Sequence, residues 1–384
     1  MKLTIKRLDF LRLLTYVNQA IPAKSAESQF MNFLISCQED KVSVIASDGT
    51  ISAKIDQPLK DPKGNDVILN IEKGLIQTPA KYLLDIVAKL GGEVITLNMV
   101  DTNYLNISDD STNFNLITKA GEEYPNVDLD IPTEKKGFKA SLKDLKKLYD
   151  TTAYAVATKG PKELFYGINV MAHGGKLFFL TTDSYRMARY AVPETDQEAD
   201  FAFTCPVKAL AMATNIGVAS DCTIYFDDQR ALFTADGVTL STRLLRGDFP
   251  SVDRLIPPTF PYSVSVDTAE FLAAADRVKI ISSAEDKNSQ VKLTISKAGG
   301  VTISARSTNY GNSQEVLRKA TFVLPETEEV FEIGFNVDFA VEAVKALGTS
   351  KFSFVFASPT RMFMAKNDDA ENIQIITPIR MSND

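Results

Sequence analysis

The chain has 384 residues, of which 45% are hydrophobic and 24% charged, with one histidine and a net charge of −7. These proportions belong to a globular protein of two or three domains, and no apolar run approaches the ~18 residues of a membrane helix. The acidic balance argues against a general nucleic-acid binder, and the start, MKLTIKRLDF, lacks the apolar core of a signal peptide.

In chain order, the first element is a strand running into an amphipathic helix, KLTIKRLDFLRLLTYV from Lys2. The same pattern returns as GFKASLKDLKKLYDTT from Gly137 and as YSVSVDTAEFLAAADRV from Tyr262. Between these openings a second strand runs into a second helix: TPAKYLLDIVAKLGG from Thr78, TCPVKALAMATNIG from Thr204 and GFNVDFAVEAVKALG from Gly334. A strand follows each, in EVITLNMV, DCTIYFDD and KFSFVFAS. The first two units also end alike, in AGEEYPNVD and RGDFPSVD. Repetition at this pitch predicts three similar domains in tandem, at residues 1–132, 133–258 and 259–384, rather than one large enzyme core.

Catalytic chemistry is hard to find. His173, in MAHGGKLFF, reads as a hairpin turn rather than a general base. The close glycine pairs, such as Gly91-Gly92 and Gly299-Gly300, lack the lysine and hydroxyl of a nucleotide cradle. Asp109-Asp110, Asp227-Asp228 and Asp368-Asp369 fall between predicted strands, where Asp favours turns, and no loop offers the converging oxygens that a hard cation needs. Cys37, Cys205 and Cys222 have no metal spacing and read as buried thiols in a reducing cytoplasm. Neither a metal nor a cofactor is expected.

Charge is unevenly placed. The helical segments are rich in cations: Lys6, Arg7 and Arg12, then Lys143, Lys146 and Lys147, then Arg277 and Lys279. The mid-unit helices add Lys81, Lys89, Lys208 and Lys345. Acidic residues concentrate in DTNYLNISDD, GEEYPNVDLDIP, PETDQEAD and LPETEEVFE, read as loops and edges. The lysines are either the solvated faces of amphipathic helices or one basic surface that meets phosphates without reading bases.

Four motifs in order carry a resemblance: TTDSYRMA from Thr181, GDFPSVDRLIP from Gly247, GFNVDF from Gly334 and IITPIRM from Ile375. Together with the threefold repeat they resemble the bacterial sliding clamp family, the beta subunit of DNA polymerase III. The resemblance spans the chain. It implies an α+β fold of three clamp domains, each two βαβββ halves with two helices on antiparallel sheets. It further implies a head-to-tail homodimeric ring whose helices line a channel. The function so implied is that of a non-catalytic DNA polymerase processivity factor in the cytoplasm. It would encircle double-stranded DNA without sequence preference and have no membrane partner. The implied protein partners are the polymerase III catalytic subunit, a separate ATP-driven clamp loader and other proteins carrying peptides of Gln-Leu-x-Leu-Phe type.

Site residues follow from the same resemblance. Lys24 stands where the family has a DNA-touching arginine, and Arg12, Lys81 and Lys208 match basic inner positions. Lys159 and Lys162 lie in a DNA-contacting loop that here has Glu163 and Leu164 where the family has aromatics. Phe114 and Leu116 match the first-domain side of the dimer interface, with Ile280 and Ile281 on the third-domain side. The peptide pocket takes Thr182, Tyr185, Arg186 and Met187 from one motif and Pro250, Arg254 and Leu255 from the next. Asn336, Phe339 and Pro359 join them, followed by Ile375, Ile376, Pro378, Ile379, Arg380 and Met381. Leucine and phenylalanine anchors would fill a pocket of Met187, Leu255, Ile376 and Pro378, with the arginines and Asn336 fixing the peptide by hydrogen bonds. Tyr185, Met187 and Phe339 replace the family's histidine, leucine and tyrosine, and Arg361 sits where a small residue is usual.

Two other classes remain open from the residues alone. One is an enzyme with a cleft at Asp183, Tyr185 and Arg186. The other is a repeat scaffold that does not bind DNA.

Overall fold

Leu3 and Ile5 are buried between half-buried neighbours, and then Phe10, Leu13, Leu14 and Val17 are buried at helical spacing. The apolar period therefore changes from two to 3.6 at the junction of β1 (Lys2–Lys6) and α1 (Arg7–Asn18). This half-domain continues through β2 (Asn32–Cys37), β3 (Lys41–Ser47) and β4 (Ile51–Pro58), followed by a short β5 (Ile68–Glu72). The second half is β6 (Gly74–Pro79), α2 (Ala80–Lys89), β7 (Val94–Met99), β8 (Tyr104–Ser108) and β9 (Asn113–Ile117), with β10 (Lys119–Ala120) behind it.

The middle third repeats the order. Its first half is β11 (Lys136–Ser141), α3 (Leu142–Thr152), β12 (Gly167–His173), β13 (Lys176–Thr182) and β14 (Arg186–Pro193). Its second half is β15 (Phe201–Pro206), α4 (Val207–Ala213), β16 (Asp221–Phe226), β17 (Arg230–Ala235) and β18 (Val238–Arg243). The last third opens with β19 (Tyr262–Asp267), α5 (Thr268–Ser282), β20 (Gln290–Ser296), β21 (Gly300–Ser307) and β22 (Gly311–Val316). After β23 (Thr321–Val323) it ends with β24 (Val330–Asn336), α6 (Val337–Leu347), β25 (Lys351–Phe356), β26 (Phe363–Lys366) and β27 (Ile373–Ile376). This computed structural model describes residues 1–101, 103–131, 136–193, 200–217, 220–251, 256–284 and 289–380.

The halves interlock by one rule. β1 pairs antiparallel with β7 (Leu3↔Leu97), while β6 pairs with β2 (Ile35↔Ile76). β11 pairs with β16 (Phe138↔Ile224) and β15 with β12 (Ile168↔Cys205). β19 pairs with β25 (Val264↔Phe354) and β24 with β20 (Leu293↔Ile333). Each opening strand thus joins the three-stranded meander of the other half, so neither half completes a sheet without its neighbour.

The chain folds as two units, Met1–Leu145 with Lys208–Leu244, and Lys146–Val207 with Leu245–Asp384. The first unit holds a five-stranded sheet, β5-β1-β7-β8-β9, and a nine-stranded sheet, β10-β6-β2-β3-β4-β18-β17-β16-β11. In it α1 packs on α2 and over β3 and β4. The second unit holds a nine-stranded sheet, β15-β12-β13-β14-β27-β26-β25-β19-β23, and a four-stranded sheet, β22-β21-β20-β24. The large sheets arise where the last strand of one half meets the last strand of another: β4 with β18 (Ala53↔Leu240) and β14 with β27 (Met187↔Ile375). Hence the middle third is shared between the two units.

Turn chemistry follows the sequence. β12 and β13 close through His173↔Lys176, with Gly174 and Gly175 both at positive φ (59° and 73°), as a two-residue hairpin of this twist requires. Asp227 accepts from the Gln229 and Arg230 amides, and Asp109 from those of Ser111 and Thr112, so the first aspartate of each of these pairs serves its turn. One segment differs from expectation. DTNYLNISDD, read as loop or edge, supplies β8, an interior strand between β7 and β9, because Leu105 and Ile107 alternate into the core. The three cysteines are free and buried, which pushes the Cys37 and Cys222 thiols up to about 12.

Candidate functional site

The motif Thr181 to Ala188 forms a turn tied to itself. The Thr182 hydroxyl donates to the Arg186 carbonyl (2.7 Å) and accepts from the Ser184 amide (3.1 Å). The Asp183 carboxylate accepts from the amides of Tyr185 (2.9 Å) and Arg186 (3.0 Å). These bonds hold Ser184 at a positive φ of 80°, a conformation that few non-glycine residues adopt. The turn leaves Tyr185 63% exposed.

Arg186 points the other way, with only 10% of its side chain exposed. Its Nε donates to Asp183 (2.9 Å), one terminal nitrogen donates to the Tyr154 carbonyl (2.8 Å) and the other to Glu342. Its guanidinium also stacks 4.5 Å from the Phe339 ring centroid. Asn336 is likewise committed: its Oδ1 accepts from the Phe339 amide (3.1 Å) and caps α6. Both residues were read as groups that fix a peptide directly. Within the fold their hydrogen bonds tie the turn to α6 and start that helix.

The chain end is held against this frame. Thr377 donates through its amide (2.9 Å) and its hydroxyl (2.8 Å) to the Tyr185 carbonyl. The Ile379 amide donates to the Gly334 carbonyl (2.7 Å) on β24. Beside this strap lies a cleft of about 1000 Å³, bounded by residues 256–258, 332–334, 359–362 and 377–380. Its walls are largely apolar, with Ile333, Met362, Ile379 and four prolines.

Of the expected pocket residues, Pro359, Pro378, Ile379 and Arg380 line this cleft. Met187 and Ile375 lie behind it, 5% and 2% exposed, in a cluster with Leu180, Val355, Met364 and Ile373. Ile376 is fully buried in the core of the last third, and Phe339 packs against that core. Thr182 is buried and Pro250 half-buried, whereas Arg254, Leu255 and Met381 lie outside the described residues. Of the expected anchor pocket, Pro378 lines the cleft, Met187 and Ile376 are buried and Leu255 lies outside the described residues; the apolar walls around Pro378 also include Ile256, Ile333, Met362 and Ile379. Thr377 and Met362 were missed. The proline-dense loops IPP, SPT and TPI were the signal that could have found them.

The candidate DNA contacts Arg12, Lys24, Lys81, Lys159, Lys162 and Lys208 are all exposed. Lys208 pairs with Asp48 (3.1 Å), Arg12 lies 3.9 Å from Asp9, and Lys162 sits 5.0 Å over the Phe165 ring. Other helix cations are committed within the fold. Arg7 donates to the Gly92 carbonyl (2.9 Å), Arg277 grips Glu315 with two bonds, and Lys279 pairs with Asp338. At the expected interface, Phe114 is 40% exposed on the edge strand β9 and Leu116 is half-buried beside it. Ile280 is 71% exposed on α5, while Ile281 packs on the core beneath.

Comparison with known proteins agrees along the chain. The description "DNA polymerase III beta subunit" is matched by its N-terminal domain at residues 1–128, its central domain at 140–251 and its C-terminal domain at 253–380. The chain belongs to the DNA polymerase III beta subunit family. The beta sliding clamp of Staphylococcus aureus is 27% identical over 387 residues, covering 99% of each chain. The crystal structure of the Bacillus subtilis sliding clamp superposes with a TM-score of 0.90 at 25% identity and 99% coverage of both chains. That of the Streptococcus pyogenes beta subunit gives 0.89 at 25% identity, covering 99% of this chain and 100% of that one. The architecture is thus three tandem clamp domains of α+β class, each with two helices on antiparallel sheets. The chain is a sliding clamp of DNA replication, a non-catalytic accessory subunit of DNA polymerase III rather than an enzyme. No helix among the described residues is long and apolar enough to cross a membrane.

Proposed function

We propose that two chains close head to tail into a ring of six domains around duplex DNA, and that this ring tethers the polymerase III catalytic subunit through the cleft beside the chain end. The observation that carries the reading is the pairing rule of the sheets. Wherever domains are joined, the last strand of a first half pairs with the last strand of a second half, as β4 does with β18 and β14 with β27. Two such strands are left over, β22 and β9, and both are sheet edges. An unpaired edge invites a partner strand. A second chain supplies each with its complement, and a heterologous contact that closes makes a ring.

Exposed Phe114 on β9 and exposed Ile280 on α5 flank those edges, and Leu116 and Ile281 back them. The domain limits 1–132, 133–258 and 259–384 follow from the repeat. Cations at Arg12, Lys24, Lys81, Lys159, Lys162 and Lys208 would meet phosphates without reading bases, which allows sliding. The net charge of −7 is compatible with this, since only the channel need be positive. Topological linkage then retains the ring while each contact stays weak. A separate ATP-driven loader would open it in the cytoplasm, and other proteins with clamp-binding peptides would share the cleft.

Sedimentation equilibrium tests the closure. The wild-type protein should run as two chains at micromolar concentration, and Phe114→Asp combined with Ile280→Asp should run as one. A wild-type monomer, or a double variant that stays paired, would refute the head-to-tail ring.

A further inference from the structure

The cleft beside the chain end has an unbalanced charge. Among the described residues, three charged side chains line it, Glu332, Arg361 and Arg380. Glu332 is already paired, since its Oε1 accepts from Lys292 Nζ and from the Thr294 hydroxyl, each at 3.0 Å. Arg361 and Arg380 are exposed, and neither forms an ion pair among the described residues. Arg186, by contrast, holds Asp183 and Glu342, Arg230 holds Asp128 and Asp227, and Arg277 holds Glu315. The two cleft cations also border apolar walls, where a cation attracts a carboxylate more strongly than in open water. A guanidinium can take both oxygens of one carboxylate in a planar fork, which a lysine cannot.

We propose that Arg361 and Arg380 make the cleft selective for partner segments that carry acidic side chains next to their apolar anchors. This rests on the reading of the cleft as the peptide-docking site and adds the chemical class of its occupant. The apolar side chains of the segment lie against Ile333, Met362 and the prolines, and its carboxylates meet the two guanidinium groups. Selectivity of this kind is electrostatic, so it weakens as salt rises.

Fluorescence anisotropy on the full-length protein tests it with two labelled peptides. One is Gln-Leu-Ser-Leu-Phe flanked on each side by two aspartates; its twin carries asparagines instead. The acidic peptide should bind about tenfold tighter at low salt, a ratio on the scale of two partly exposed charge-assisted contacts. In the double variant Arg361→Gln, Arg380→Gln that ratio should fall to near one. Equal affinities in the wild type, or an acidic preference that survives in the double variant, would overturn the inference while leaving the docking reading intact. Failure of both peptides to bind would instead sink the docking reading and this inference with it.

Discussion

Asp109 illustrates how a residue that resembles a metal ligand works for the fold. Its carboxylate accepts from the Ser111, Gly92 and Thr112 amides, and these bonds hold it at about 2 rather than the ordinary 3.8. A carboxyl depressed in the folded state stabilises above its unfolded pKa and loses that contribution as pH falls through the folded value. Stability from this group should therefore be complete above about pH 4 and vanish towards pH 2. Urea midpoints recorded across that window should fall more steeply in the wild type than in Asp109→Asn; parallel curves would remove the assignment. That Asp109 serves a turn was legible, because Ser111 and Thr112 are its neighbours in sequence; its bond to Gly92, 17 residues away, was not. The role of Arg186 was not. Its motif could be recognised in a contiguous run, but the inward pose depends on Tyr154 and Glu342, which lie 32 and 156 residues away.

Six strand-to-helix junctions were legible in the sequence because the apolar period changes there and polar caps mark the later ones. Asp267 caps α5 through the Glu270 amide (3.0 Å), and Asn336 caps α6 in the same way, with Gly348 closing that helix at a φ of 65°. The exchange of opening strands between halves was not legible. Strand partners such as β1 and β7 are about 90 residues apart, and a period of two says which face is buried but not which neighbour is bonded. The same limit hid β8, whose polar flanks outweighed Leu105 and Ile107. The cap gives a test that separates two roles of Asn336. Asn336→Ala should cost about 1 kcal/mol in urea denaturation, whereas Asn336→Asp, which keeps a capping oxygen, should cost less than half of that. Equal losses in the two variants would contradict capping as the reason for this residue.

At the scale of the whole molecule, charge is divided. Two third-domain helix cations, Arg277 and Lys279, are matched by Glu315 and Asp338, while no ion pair among the described residues holds Lys24 or Lys81 of the first domain. Composition alone gave the net −7 and left open whether the lysines formed a surface or were scattered. Sheet pairing supplies what composition lacks, a reason for a second chain and for closure. Closure makes a prediction that affinity does not: binding must depend on the topology of the DNA. The decisive measurement is retention of the protein on primed circular DNA after loading by the proposed ATP-driven clamp loader, followed by a high-salt wash and then a single restriction cut. The account predicts that the protein stays on the circle through the wash and leaves once the DNA is linear. Loss from the intact circle in salt, or equal retention before and after the cut, would contradict it.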